Sequence, residues 1–344
     1  MKKNLLLFIG ILMGITTQAE VYYLNNNVEN DASNNTFKTF SEVFDASSAN
    51  DTIYVIGSVH TYGDISLNNP RHIIGPGYFL EQNTETNASK LEAVFGKIIF
   101  EIGSEGSKIE GLSCSEDNNA YIEITSNDIL VENCYIYHEI YIHRYDDTNI
   151  ESLMVTGCYL NSNVDRGFSF DSNFDGILVN CVLSNNIVHG SVELPNGSNG
   201  VIMNNLFLHD EFKPGTSSSF EIHNNILLSD DPGSVEMQPL PDAAVSHNIS
   251  VSSLFGTENN NQEYVSVNNL FVGAEGYTTD GQYQLKEGEN PAIAAANDGG
   301  DIGPFGGPEA YSLSGLPDIP RIYELSTGGF VTGDELPVHI KVKQ

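Results

Sequence analysis

The chain has 344 residues, with 14 Lys and Arg against 46 Asp and Glu, a formal charge of −32, and 40% hydrophobic residues. That apolar content suffices for a large core and excludes a disordered chain. So few bases exclude nucleic-acid binding, which needs clustered Lys and Arg against phosphates. They also disfavour a bare polyanionic ligand unless a divalent cation stands between.

In chain order, Lys2 and Lys3 precede an apolar run from Leu5 to Ile15, and Thr17-Gln18-Ala19 resembles a small-residue cleavage site. This pattern predicts a secretory signal, residues 1–19, cut after Ala19. The run is shorter than the roughly 20 residues of a membrane span, and no Cys follows it for a lipid anchor. Cleavage would leave 12 bases against 46 acids, a charge of −34. The mature protein is expected to have no transmembrane segment and to be a monomer. It would be secreted, periplasmic or on the cell surface of a bacterium. Next, Phe37, Phe40, Val43 and Phe44 have helical spacing, and Asn50 to Val55 opens a strand.

The body of the chain repeats. Segments ending at Cys134, Cys158, Cys181, Asn205 and Asn225 share an aliphatic residue three positions earlier and Asn or Gly just before the end. Weaker copies end at Cys114, Asn248 and Asn269, so the landmarks fall 20 to 24 residues apart. Between them, pairs such as Ile122/Ile124, Ile140/Ile142, Phe168/Phe170 and Val192/Leu194 alternate with period two, the mark of strands with one buried face. A unit of about 22 residues holding short strands is one rung of a coil, parallel to its neighbours at about 4.8 Å. The Asn or Gly suits a left-handed bend, and the landmark residue then points inward, where Asn amides can bond along the stack.

With this repeat the chain resembles the right-handed parallel β-helix proteins of the pectate-lyase-like superfamily. The amphipathic opening at 37–44, the strand from Asn50, and the ending Asn290-Pro-Ala-Ile293 with Gly300-Asp-Ile-Gly-Pro-Phe305 share in the resemblance. It covers about residues 37 to 308. It implies an all-β, right-handed parallel β-helix over residues 20–308 with an N-terminal cap, then a capping tail at 309–344. It implies little about function, because this fold carries lyases, hydrolases, esterases, adhesins and proteins without catalysis.

Cys114, Cys134, Cys158 and Cys181 all take the landmark position in this alignment, which predicts an inward ladder of free thiols rather than a disulfide scaffold. No Cys-x-x-Cys pair suggests zinc. Strand parity also picks out an outward column: Glu101, Glu123, Tyr141, Ser169, Glu193, Glu211 and Glu236, flanked by His143, Asp171 and Lys213. In the superfamily this face commonly holds substrate. The column reads as a solvated acidic face, as a Ca²⁺ site, or as an acid and nucleophile pair for glycoside hydrolysis. The calcium candidates are Asp171, Glu193, Glu211 and Glu236, with Asp298 and Asp301 in a Gly-rich bend.

The Arg and His signatures of pectate lyases and polygalacturonases are missing. Tyr141, His143 and Arg144 form the best set for β-elimination, with Asp171 and Glu193 as further catalytic candidates. Tyr135, Tyr137 and Tyr159 offer aromatic faces to sugar rings. The stripe they start, continued by Val182, Leu206, Ile226, Ile249 and Leu270, could equally lie under another segment of the chain. In the tail, 322–325 and 336–342 read as two strands. The expected function is an exported β-helix that binds extracellular polysaccharide or a cell-surface partner. The alternative is a polysaccharide lyase or glycoside hydrolase acting on an acidic glycan.

Overall fold

The period-two segments form three long sheets in which every strand pair is parallel. In the computed structural model the described residues are 19–83, 86, 88–115, 120–144, 148–161, 166–208, 211–229, 244–327 and 337–343. The first sheet has seven strands, from Ile65–Leu67 to Phe212–Lys213; the second has eleven and the third eight. The chain visits them in a fixed order. Ile122–Ile124, Leu130–Glu132 and Tyr135–Ile136 belong to the first, second and third sheets, and Ile140–Ile142, Met154–Thr156 and Tyr159–Leu160 repeat the circuit. This arrangement is consistent with a parallel β-helix. Inward residues of all three sheets, such as Ile122, Val131 and Ile136, form one buried core.

The opening follows the helical spacing. Helix Phe40–Ala46 starts at Thr39, whose hydroxyl accepts from Glu42 N–H while the Glu42 carboxylate accepts from Thr39 N–H. This reciprocal cap fixes the helix start. The helix buries Val43 in the core.

The step from second to third sheet carries the repeat. Asn133, Gly157, Asn185, Asn204, Asn224 and His247 all have φ between 50° and 63°. Gly, Asn and His take this left-handed bend at least cost. The next residue points inward. Asn205 Nδ2 donates to Leu183 O at 2.8 Å and Met203 O at 2.9 Å. Its Oδ1 accepts from Asn186 N and Nδ2, at 3.0 and 2.9 Å. The same pattern joins Asn205 to Asn225, Asn225 to Asn248 and Asn248 to Asn261. Cys158 imitates it: its thiol lies 3.5 Å from Val131 O and 3.4 Å from Thr156 O, the carbonyls of the matching positions.

This ladder corrects three landmarks. Val155 pairs with Leu183, not Leu178, so the landmark after Cys158 is Asn186 and not Cys181. Cys181 instead pairs with Gly200 in the second sheet, where a Cβ on Gly200 would lie 1.8 Å from Cys181 O. The segment that misled the alignment, Leu178–Val179, pairs with Ile150–Glu151 in an extra two-stranded sheet. Tyr135 pairs with Ser113, so the first landmark is Leu112, and Cys114 faces inward two positions later, on the third sheet. The last is Asn261, not Asn269. Only Cys134 and Cys158 share the ladder, and all four thiols are buried and free.

The strands of the three sheets end at Ser250. Residues 270–311 contribute Leu270, Ala292, Ala296, Ile302 and Tyr311 to a second buried cluster over the outer face of the third sheet. The bend residues anchor this cover: Asn185 Nδ2 donates to Pro304 O and Gly306 O, and Gly303 N donates to Asn224 O. Arg321–Thr327 and Val338–Lys343, near the two strands read from the tail pattern, pair antiparallel. No helix among the described residues is long and apolar enough to cross a membrane.

Candidate functional site

The outer face of the first sheet gathers several of the expected side chains. Ile122, Ile124, Ile140 and Ile142 point inward, so Glu123 and Tyr141 point outward, side by side in register. The flanking outward positions bring His143 beside Asp171, whose N–H donates to Ile142 O. His143 Nδ1 lies 3.4 Å from Glu123 Oε1 and its Nε2 lies 3.6 Å from Asp171 Oδ2. Tyr141 O–H donates to Asp171 Oδ2 at 2.7 Å. The Glu123, His143 and Asp171 side chains are 15 to 19% exposed, so the cluster is largely buried but still reaches solvent.

The electrostatics follow from these contacts. Asp171 is held below the usual carboxylate range, first by the Asn173 backbone N–H and then by the Tyr141 hydroxyl. Burial, aided by the bond to Asp171, pushes the Tyr141 phenol well above its ordinary value. Tyr141 therefore remains a neutral donor at neutral pH and is not poised as a phenolate base. Each ring nitrogen of His143 faces a carboxylate, an acceptor, so it can pair there only by donating its N–H.

Residues outside the expected set complete the face. Tyr121 O–H donates to Glu123 Oε2 at 3.3 Å, its ring meets Tyr141 edge-on, and Lys97 Nζ lies 4.9 Å over that ring. Ser169 Oγ donates to Glu139 Oε2 at 2.5 Å. Tyr121 and Glu139 precede the inward Ile122 and Ile140, so they share a second outward column. Parity from those isoleucines, carried one position further back, would have found both.

The remaining expected residues fall elsewhere. Arg144 Nη1 donates to Asn127 Oδ1 and Asn149 O, tying two turns together. Glu101 follows Phe100, which pairs with Ile124, so it belongs with Thr125 and not with Glu123. Glu193 pairs with Lys213, not with Glu211. Lys213 Nζ sits 3.0 Å from Glu193 and 3.7 Å from Glu211, beside a cleft of about 170 Å³. Asp298 and Asp301 accept from Gly300 N–H and Ala294 N–H, each at 2.9 Å. Glu236 lies outside the described residues. Among the described residues, no group of three or more His, Cys, Asp or Glu is placed to hold a metal ion.

The tyrosine stripe has a different outcome from the sugar-stacking expectation. Tyr135 and Tyr159 are buried against Tyr78, Phe79 and the cover, and Tyr137 is half-buried beside them. The rings of Tyr135 and Tyr159 do not meet solvent. Ile187 continues the stripe, whereas Val182 lies on the second sheet. No protein-family model matches the chain, and comparisons with curated proteins and with solved structures give no match.

Proposed function

We propose that the protein is an exported glycan-binding module, a right-handed parallel β-helix of the pectate-lyase-like kind, which recognises polysaccharide on the outer face of the first sheet. The observation that carries this reading is the half-buried cluster of Glu123, Tyr141, His143 and Asp171. Carboxylates accept hydrogen bonds from sugar hydroxyls, and the edges of Tyr121 and Tyr141 supply apolar contact. A chain of charge −32 favours a neutral glycan over a polyuronate. The fold assignment rests on three parallel sheets in cyclic order and the inward Asn stack. Export rests on the N-terminal sequence, and cleavage after Ala19 on secretion is its test.

The lyase or hydrolase reading draws on one feature, His143 set between two carboxylates, an arrangement suited to moving a proton. The neutral Tyr141 weighs against elimination. Incubation with neutral and acidic glycans, followed by assays for retention, unsaturated uronate and new reducing ends, separates the readings. Retention without turnover supports a binding module. Turnover abolished by His143→Ala would replace it with an enzyme. Ca²⁺ belongs to the same proposal: between the neighbouring carboxylates Glu193 and Glu211 it would take the place of Lys213 Nζ. It would raise the melting temperature more than NaCl of equal ionic strength; equal shifts would reject it.

A further inference from the structure

The second sheet carries another groove. Its outward column runs Tyr23, Tyr54, Ile74, Glu110, Glu132, Thr156, each in register with the next. Six rungs in line span roughly 24 Å at the spacing of paired strands. The segment 309–322 forms a wall along this column. At one end it encloses a cleft of about 610 Å³ over Glu110 and Glu132, and at the other a cleft of about 710 Å³ over Tyr23 and Tyr54. The clefts meet at Ile74, Pro317, Ile319 and Arg321, which line both.

The two ends differ in chemistry. Tyr23, 40% exposed, stacks on Tyr54 with ring centroids 6.1 Å apart and planes 25° apart. Lys108 Nζ bonds Glu110 at 2.9 Å and Glu132 at 2.5 Å, while Arg321 Nε at the junction is buried without a hydrogen-bond partner. With Glu309 and Asp318 in the wall, four carboxylates face two fixed cations, Lys108 and Arg321, together with His72. This excess of acceptors suits a ligand rich in hydroxyl donors and repels a polyanion. The tyrosine pair suits the apolar face of a pyranose ring.

We propose that this groove is a second binding site, distinct from the first-sheet cluster, for a linear neutral oligosaccharide lying along the rungs. Its rings pack on Tyr23 and Tyr54, Arg321 donates to sugar oxygens at the middle, and Glu110 and Glu132 accept hydroxyls at the far end.

The test is an array of linear neutral, amino-sugar and uronate oligomers, followed by calorimetry on the neutral oligomer bound best. Tyr23→Ala should weaken that oligomer about three- to tenfold, and Arg321→Gln about tenfold, with melting curves confirming that both variants fold. Glu123→Gln, run in parallel, reports on the first-sheet cluster. Loss there with groove binding retained leaves the second site standing and removes the first. Four results would overturn the proposal. They are no glycan retained, as when the groove takes a polypeptide; uronates preferred; neutral binding unmoved by both groove variants; or all binding abolished by Glu123→Gln alone.

Discussion

Asn205→Ala should be among the most damaging single changes in the coil. The Asn205 side chain makes five hydrogen bonds: two from Asn186 and three to Leu183 O, Met203 O and Asn225 Oδ1. Asn205 is fully buried, so water cannot replace them. Removal strands the Asn186 N–H and takes the side-chain donor from Leu183 O and from Met203 O, which keeps the Asn185 N–H at 3.2 Å, and each unsatisfied buried group costs about 1–3 kcal/mol. Some relaxation is expected, which puts the loss at about 4 kcal/mol. At ~2.1 cal/mol/K per residue, a chain of this length loses about 6 °C of melting temperature. Asn205→Cys should cost about half as much, because Cys158 already sets its thiol against the corresponding carbonyls. Urea denaturation of the three proteins measures both numbers. An alanine variant within about 1 kcal/mol of wild type, or a cysteine variant as damaged as alanine, would refute the ladder as a source of stability.

The remaining predictions concern thiols, acid and the cover. Burial raises the Cys114 thiol and pushes that of Cys181 up to about 12, so a thiol reagent at neutral pH should label none of the four until denaturant is added. His189 packs between Tyr159 and Tyr283, and burial lowers its pKa to about 4. Its unfolded form binds the proton more readily, so it contributes stability above about pH 6.5 that is lost as pH falls towards about 4, some 3 kcal/mol in all. His189→Gln should flatten the stability profile over that window; an unchanged profile would show that His189 does not carry it. Tyr78 and Tyr311 share a buried 2.6 Å hydrogen bond beneath the cover. Tyr311→Phe leaves Tyr78 O–H without that partner and should cost about 1–3 kcal/mol in urea, whereas no loss would mean that the cover does not depend on the pair.

Much of this architecture is legible in the sequence, and the reasons for the failures are local. Period-two pairs of Ile and Phe give strand positions directly, because inward side chains must be apolar. The Asn-Asn and Asn-Cys dipeptides mark the bends, because few residues tolerate φ near 55° and an inward amide needs a stacked partner. The alignment slips at Cys181 because Val-Asn-Cys mimics a bend while the true one, Asn185-Asn186, follows five residues later. The insertion that forms Ile150–Glu151 and Leu178–Val179 hides this. Sequence parity sets Glu193 beside Glu211 because the two-residue strand Phe212–Lys213 is too short to fix its own register. His143 and Asp171 stand out as a flanking column, since their neighbours Ile142 and Phe170 are in register. The groove on the second sheet was not visible, because the segment 309–322 that walls it shares no periodicity with the coil.

Binding of a neutral glycan to the first-sheet face tests the functional reading most directly. The measurement is calorimetric titration of wild type, Glu123→Gln and Tyr141→Phe with the neutral oligosaccharide retained best. Tyr141→Phe removes the 2.7 Å bond that orients Asp171 as an acceptor, and Glu123→Gln removes a charged acceptor. Each should weaken binding about tenfold, the worth of a hydrogen bond to a charged group, with no reducing ends released. Wild-type affinity in both variants, or no binding to any neutral glycan, would contradict the account.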